Sequence, residues 1–128
     1  MRTGVGMVVV ALAALLAAGC AGGGGGGGSS STGTANTIRI VGKDNVYEPA
    51  TVEIKAGTEY EFVLKNDGAG AHNAVIEAKA KVGQDFASDP TVNPGDESKW
   101  KVKIDQAGTY PIQCTLHPEM KGELKVAQ

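Results

Sequence analysis

The sequence predicts an all-β protein, a small antiparallel Greek-key sandwich or barrel carried behind an apolar leader and a glycine-rich tether. Three observations lead there. Apolar residues alternate with charged ones in short runs, turn residues punctuate those runs, and no stretch sustains a helical period.

The leader comes first. Residues 5–18 are apolar or small, behind a start that carries Arg2; the run is too short to span a bilayer and suits the core of a signal peptide. It ends Leu16-Ala17-Ala18-Gly19-Cys20, which resembles the lipobox of bacterial lipoproteins. There, small residues admit the signal peptidase and the cysteine thiol takes the lipid. On this reading residues 1–19 are removed and Cys20 is the lipidated N-terminus.

Residues 20–36 include seven consecutive glycines and then Ser29-Ser30-Ser31, with nothing able to bury apolar area. They form a flexible tether, roughly 20–25 Å end to end. The expected location is extracytoplasmic, lipid-anchored to the cell membrane, either in a periplasm or on the outer face of the cytoplasmic membrane.

Residues 37–128 are the folded domain, enough for one core and too few for two. Period two is read from Ile38 and Ile40; Val52 and Ile54; Tyr60, Phe62 and Leu64; Trp100, Val102 and Ile104; and Leu124 and Val126. Lys99, Lys101 and Lys103 interleave with the Trp100 run, so that strand has one wet face and one core face. A further strand is expected over Thr109 to Cys114, with Pro111 requiring a free N–H side or a bulge. Turns are expected at Ala56-Gly57, Asn66-Asp67-Gly68, Asn93-Pro94-Gly95-Asp96 and Ala107-Gly108. Eleven basic and fourteen acidic residues leave the domain weakly acidic with no basic run, which argues against nucleic acid as a partner. A monomer is expected.

The rare residues are concentrated. After residue 36 the chain has one Cys, one Met and two His, and three of those four fall in Cys114-Thr115-Leu116-His117-Pro118-Glu119-Met120. A thiolate, an imidazole and a thioether three residues apart can meet one ion from a single turn, which Pro118 stiffens. His72 is the imidazole left to complete a trigonal His2Cys plane with a long axial Met, the donor set of a blue-copper site. Softness names the metal: Met is a poor zinc donor, calcium and magnesium want oxygen, and thiolate with thioether and two imidazoles serves Cu(I) and Cu(II) alike. Taken singly, each residue has a plainer explanation as core or surface, but that account leaves their spacing unexplained.

Tyr47-Glu48-Pro49, Val52-Glu53-Ile54, Ala56-Gly57-Thr58, Phe62 to Asn66, His72-Asn73 and Gly108-Thr109-Tyr110 leading to Cys114 follow in the order seen in cupredoxins, which the domain resembles over nearly its whole length. The C-x2-H-x2-M loop resembles the short ligand loop of the amicyanin type. The resemblance implies one copper ion held by His72, Cys114, His117 and axial Met120. It also implies that the Asn73 side chain braces the His72 segment against the backbone near Cys114 and Thr115.

The expected function is one-electron transfer between transient redox partners, a donor and an acceptor; the alternative is a copper-binding module for delivery or resistance, without redox cycling. An enzyme with Cys114 as nucleophile and His117 as base lacks an orienting acid and leaves Met120 without a role. The resemblance further implies that His117 lies near the surface in an uncharged patch, for which Gly68, Ala69, Gly70, Ala71, Leu116 and Pro118 are the candidates. The lipobox reading has a direct test: the native protein fractionates with membranes, and Cys20→Ala blocks lipidation and normal processing, as followed by mass spectrometry of the N-terminus. A wild-type chain recovered wholly soluble and without lipid removes it.

Overall fold

The computed structural model describes residues 36–128. The expected signal peptide, the expected lipidation site Cys20 and the expected tether as far as residue 35 lie outside the described residues. Nine strands and one helical turn follow in order: β1 Thr37–Lys43, β2 Val46–Glu48, β3 Thr51–Lys55, β4 Glu59–Asn66, β5 Val75–Ile76, α1 Lys79–Val82, β6 Phe86–Ala87, β7 Glu97–Lys103, β8 Gly108–Gln113 and β9 Lys121–Ala127.

They form two sheets, β2-β1-β4-β7 and β3-β9-β8-β5-β6. The alternating apolar residues of both sheets meet in one core: Ile40, Phe62, Leu64 and Val102 from the first, Val52, Ile54, Ile76, Tyr110, Ile112, Leu124 and Val126 from the second. Trp100 is half-buried at the margin of that core, its ring 5.6 Å from that of Phe62. Lys99, Lys101 and Lys103 stand on the exposed face of β7, as their spacing predicts. On the same outer face Arg39 holds Glu97 through two hydrogen bonds of 3.1 and 3.2 Å. The guanidinium lowers the Glu97 pKa below the usual carboxylate range.

Most pairings are antiparallel, but β1 with β4 and β3 with β9 run parallel. Alternation in a single strand says which face is buried and nothing about the direction of its neighbour, so this feature belongs to the topology alone. The β1/β2 hairpin turns on Asp44 and Asn45, both at positive φ (50° and 63°). Two successive residues at positive φ make a type I′ turn, whose twist matches that of the flanking strands. The short strands β5 and β6 offer too few residues to show a period.

Pro111 sits within β8, and the β8/β9 register runs through it unbroken, so there is no bulge. Its carbonyl accepts the Glu77 N–H at 2.9 Å, one residue beyond the end of β5. In an extended strand nitrogen and carbonyl of one residue point the same way, so the missing donor faces the place where β5 has already stopped. At the other boundary, the Asn36 carbonyl accepts the Glu61 N–H at 2.9 Å. Folded structure therefore begins one residue earlier than the composition implied.

Gly122 in β9 shows how closely the chain packs. A Cβ there would lie 2.7 Å from the Ala50 carbonyl oxygen and 3.4 Å from the Tyr47 ring. That carbonyl already accepts the Glu123 N–H at 2.8 Å, so it cannot retreat without losing a bond. Gly122→Ala is expected to destabilise the domain by about 1–3 kcal/mol. Urea unfolding checks this, with the midpoint falling and the slope unchanged.

Candidate metal centre

β1 carries the chain from Asn36 to Gly42, and Gly42 is where the site begins. A Cβ on Gly42 would lie 3.2 Å from Met120 Cε and 3.6 Å from His72 Cδ2, so the bare backbone makes room for both side chains. β4 reaches the same end of the sandwich at Asn66, which is fully buried and organises the loop that follows. Its side-chain amide donates to the carbonyls of Gly70 (2.8 Å) and Val92 (2.7 Å), and its oxygen accepts the Gly68 N–H at 2.9 Å. Those three bonds hold residues 67–71 over the two imidazoles. A Cβ on Gly68 would come within 2.8 Å of His72 Nε2, and one on Gly70 within 4.0 Å of His117 Cε1.

His72 itself is fixed by a two-way backbone bridge to Val92, at 3.1 and 2.8 Å. Cys114 follows the last residue of β8 and is completely buried. Its N–H donates to the Met120 carbonyl at 3.1 Å, and the Met120 N–H donates to the His117 carbonyl at 2.9 Å. The ligand loop is therefore pinched shut at its base, bringing Cys114 and Met120 side by side at the edge of the core. Met120 is fully buried, whereas His117 is half-exposed.

One donor atom each from His72, Cys114 and His117 lie within 4.8 Å of one another. The Cys114 Sγ to His117 Nδ1 distance is 3.7 Å, and the two imidazole rings are 4.9 Å apart and inclined at 56°. His72 Nδ1 is buried and has no hydrogen-bond partner. An unpaired buried polar atom costs about 1–3 kcal/mol, so the apoprotein carries a penalty that a metal bond at this nitrogen relieves. A soft thiolate, two imidazoles and a buried thioether beside them fit a copper ion by donor chemistry.

The Asn73 side chain lies where the brace was expected. Its oxygen accepts the Thr115 N–H at 2.9 Å, and its amide donates to Thr115 Oγ1 at 2.7 Å and to the Pro90 carbonyl at 2.9 Å. The Asn73 backbone N–H points at Cys114 Sγ, 3.5 Å away. Gly42, Asn66 and Tyr47 were not among the expected site residues, and Gly68 was expected only in the patch around His117. Asn66-Asp67-Gly68 reads from sequence as a turn, and nothing local tells that the Asn66 side chain runs the loop.

Burial, and then the neighbouring His117, lower the His72 pKa below the ordinary imidazole range, with Asp44 opposing. The unfolded chain takes up a proton that folded His72 refuses, so the metal-free domain loses stability as pH falls below about 6.5. Denaturation midpoints of wild type and His72→Gln across pH 5 to 8 measure it; the wild type should show the steeper decline.

A family profile described as the cupredoxin-like domain matches residues 6–126. Among solved structures, auracyanin A, a "blue" copper protein from Chloroflexus aurantiacus, superposes with a TM-score of 0.60 at 22% identity, covering 71% of this chain and 98% of that one. Dithionite-reduced auracyanin from Roseiflexus castenholzii gives 0.61 at 24% identity, covering 75% and 100%. A reduced amicyanin variant gives 0.55 at 23%, covering 75% and 87%. At these identities the structural likeness is one of fold. The family match spans almost the entire chain, and the order of strands, the strand-end cysteine and the paired imidazoles agree with it: this chain belongs to the cupredoxin-like domain family.

Proposed function

We propose that His72, Cys114, His117 and Met120 would together hold one copper ion, and that the domain passes single electrons between protein partners. The carrying observation is the buried, unpartnered His72 Nδ1 beside a buried thiol and a second imidazole. When bound, copper supplies a one-electron couple between Cu(I) and Cu(II).

The chain supplies the rest. Each donor is held by backbone that does not depend on the ion: His72 by the Val92 bridge, Cys114 by β8 and the Met120 carbonyl, His117 by the pinched loop. Donors held in this way keep their places in both oxidation states, so little reorganisation accompanies transfer. Burial of Cys114, Met120 and His72 keeps water from the sulfur side. Half-exposed His117 is the way out, with Gly70 beside its ring and Leu116, 45% exposed, next to it in sequence. Small uncharged residues there let a partner approach closely in a brief, low-area encounter.

Residues 20–36 tether this domain to a membrane through lipidated Cys20. Asn36 enters at one pole of the sandwich and Gly42 reaches the donors at the other, about 20 Å on at 3.3 Å per residue. The tether therefore joins the domain at the pole away from the donors.

Two measurements test the reading. Copper added to the apoprotein gives an intense sulfur-to-copper colour that Cys114→Ser abolishes; a pale wild type that nonetheless binds copper refutes it. Met120→Leu keeps the colour and raises the reduction potential by some tens of millivolts in voltammetry, since tenfold in relative affinity is about 59 mV. Loss of the fourth donor, in a drier site, disfavours the more highly charged state more. An unchanged or lowered potential, with copper bound, makes Met120 a core residue only.

A further inference from the structure

Tyr47 lies on β2, an edge strand of the first sheet, yet its side chain is 3% exposed and its hydroxyl donates to the Asn73 carbonyl at 2.6 Å. Asn73 uses every polar atom it has. The side chain is spent on Thr115 and Pro90, the N–H on Cys114 Sγ, and the carbonyl on Tyr47. The N–H to sulfur contact, at 3.5 Å, is an ordinary length for a hydrogen bond to the larger sulfur atom. Its direction depends on how the Asn73 backbone is held, and the Tyr47 hydroxyl is the group that holds the carbonyl end of that residue.

We infer that Tyr47 is a positioning residue for the Cys114 sulfur: its hydroxyl fixes Asn73 from the first sheet, so that the Asn73 N–H stays aimed at Sγ. The inference rests on the copper reading above for its consequence in function, though the positioning itself belongs to the metal-free chain. Burial and the nearby Cys114 push the phenol well above its ordinary pKa, so it remains a donor at any working pH. A hydrogen bond to a thiolate sulfur withdraws electron density from it, and bonds of this kind tune the potential of such sites. Loosening the N–H makes sulfur the stronger donor, which favours the oxidised ion and lowers the potential.

The protein contains its own reference. Tyr110 is also fully buried, and its hydroxyl donates to a backbone carbonyl, that of Gln106, at 2.7 Å. Gln106 lies in the loop before β8, whose far end carries Cys114. Tyr47→Phe and Tyr110→Phe therefore remove equivalent bonds, and only the first touches Asn73.

The experiment compares both variants with wild type as full chains. Without metal, amide hydrogen exchange is followed at Asn73 relative to the β8/β9 ladder; with copper, the potential is measured. Tyr47→Phe is expected to speed Asn73 exchange roughly tenfold beyond any general change, the factor associated with one hydrogen bond, and to lower the potential. Tyr110→Phe is expected to do neither, whatever its cost in stability. If Asn73 exchange in Tyr47→Phe changes no more than in Tyr110→Phe, or if the potential stays at the wild-type value, Tyr47 is packing alone and the inference is overturned. Because exchange is read without metal, it decides on Tyr47 even if the wild type stays pale with copper, an outcome that refutes the copper reading separately.

Discussion

The side chain of Asn73 joins two segments that lie 42 residues apart, through a pair of hydrogen bonds to Thr115. His72 stands immediately before one end of that link and Cys114 immediately before the other. Their closeness therefore follows from a bidentate polar contact made between neighbours of the donors rather than by the donors themselves. This division leaves His72 Nδ1 unpaired and the Cys114 sulfur engaged by the Asn73 N–H with lone pairs to spare, while the geometry is set by groups that would not touch a metal. Such a link is stable because it is sheltered: Asn73 is 3% exposed, and each of its polar atoms has a partner, so its burial incurs no unpaired group.

Around this link the site is built by removal as much as by addition. Gly42 and Gly68 are close to His72 because they lack a side chain, and Gly42 accommodates Met120 as well. The polar residues Asn66, Asn73 and Tyr47 then lock the resulting loops to the two sheets. Both sheets contribute: Gly42 lies next to the end of β1 and Asn66 ends β4 in the first, and Cys114 directly follows β8 of the second. Sandwich packing of the apolar faces brings these strand ends to one pole. The core that pays for the fold thus also sets the distance between the donors.

Much of the strand pattern was legible because half-buried strands write a period of two into sequence, as in Tyr60-Phe62-Leu64 and Trp100-Val102-Ile104. Cys114 and His117 were legible as a metal-binding pair for a different reason: Cys and His are scarce in this domain, and a spacing of three lets one tight turn bring both side chains together. Strands β2, β5 and β6 were missed, being two or three residues long, and the Asp44-Asn45 turn went unread although two residues tolerant of positive φ are its usual signal.

By itself, the sequence determined the class of the fold and singled out the rare Cys, His and Met residues, since periodicity, composition and close spacing are local properties. The tertiary structure alone decided what depends on contacts between distant residues. His72 could be nominated only by elimination until the β1, β4 and β8 ends met; the parallel neighbours of β1 and β3 have no local signature; and Tyr47, Gly42, Gly68 and Asn66 acquire their roles from partners elsewhere in the chain. A side chain's apolar or polar character is written at its own position, whereas the atom it will touch is settled only when the sheets close.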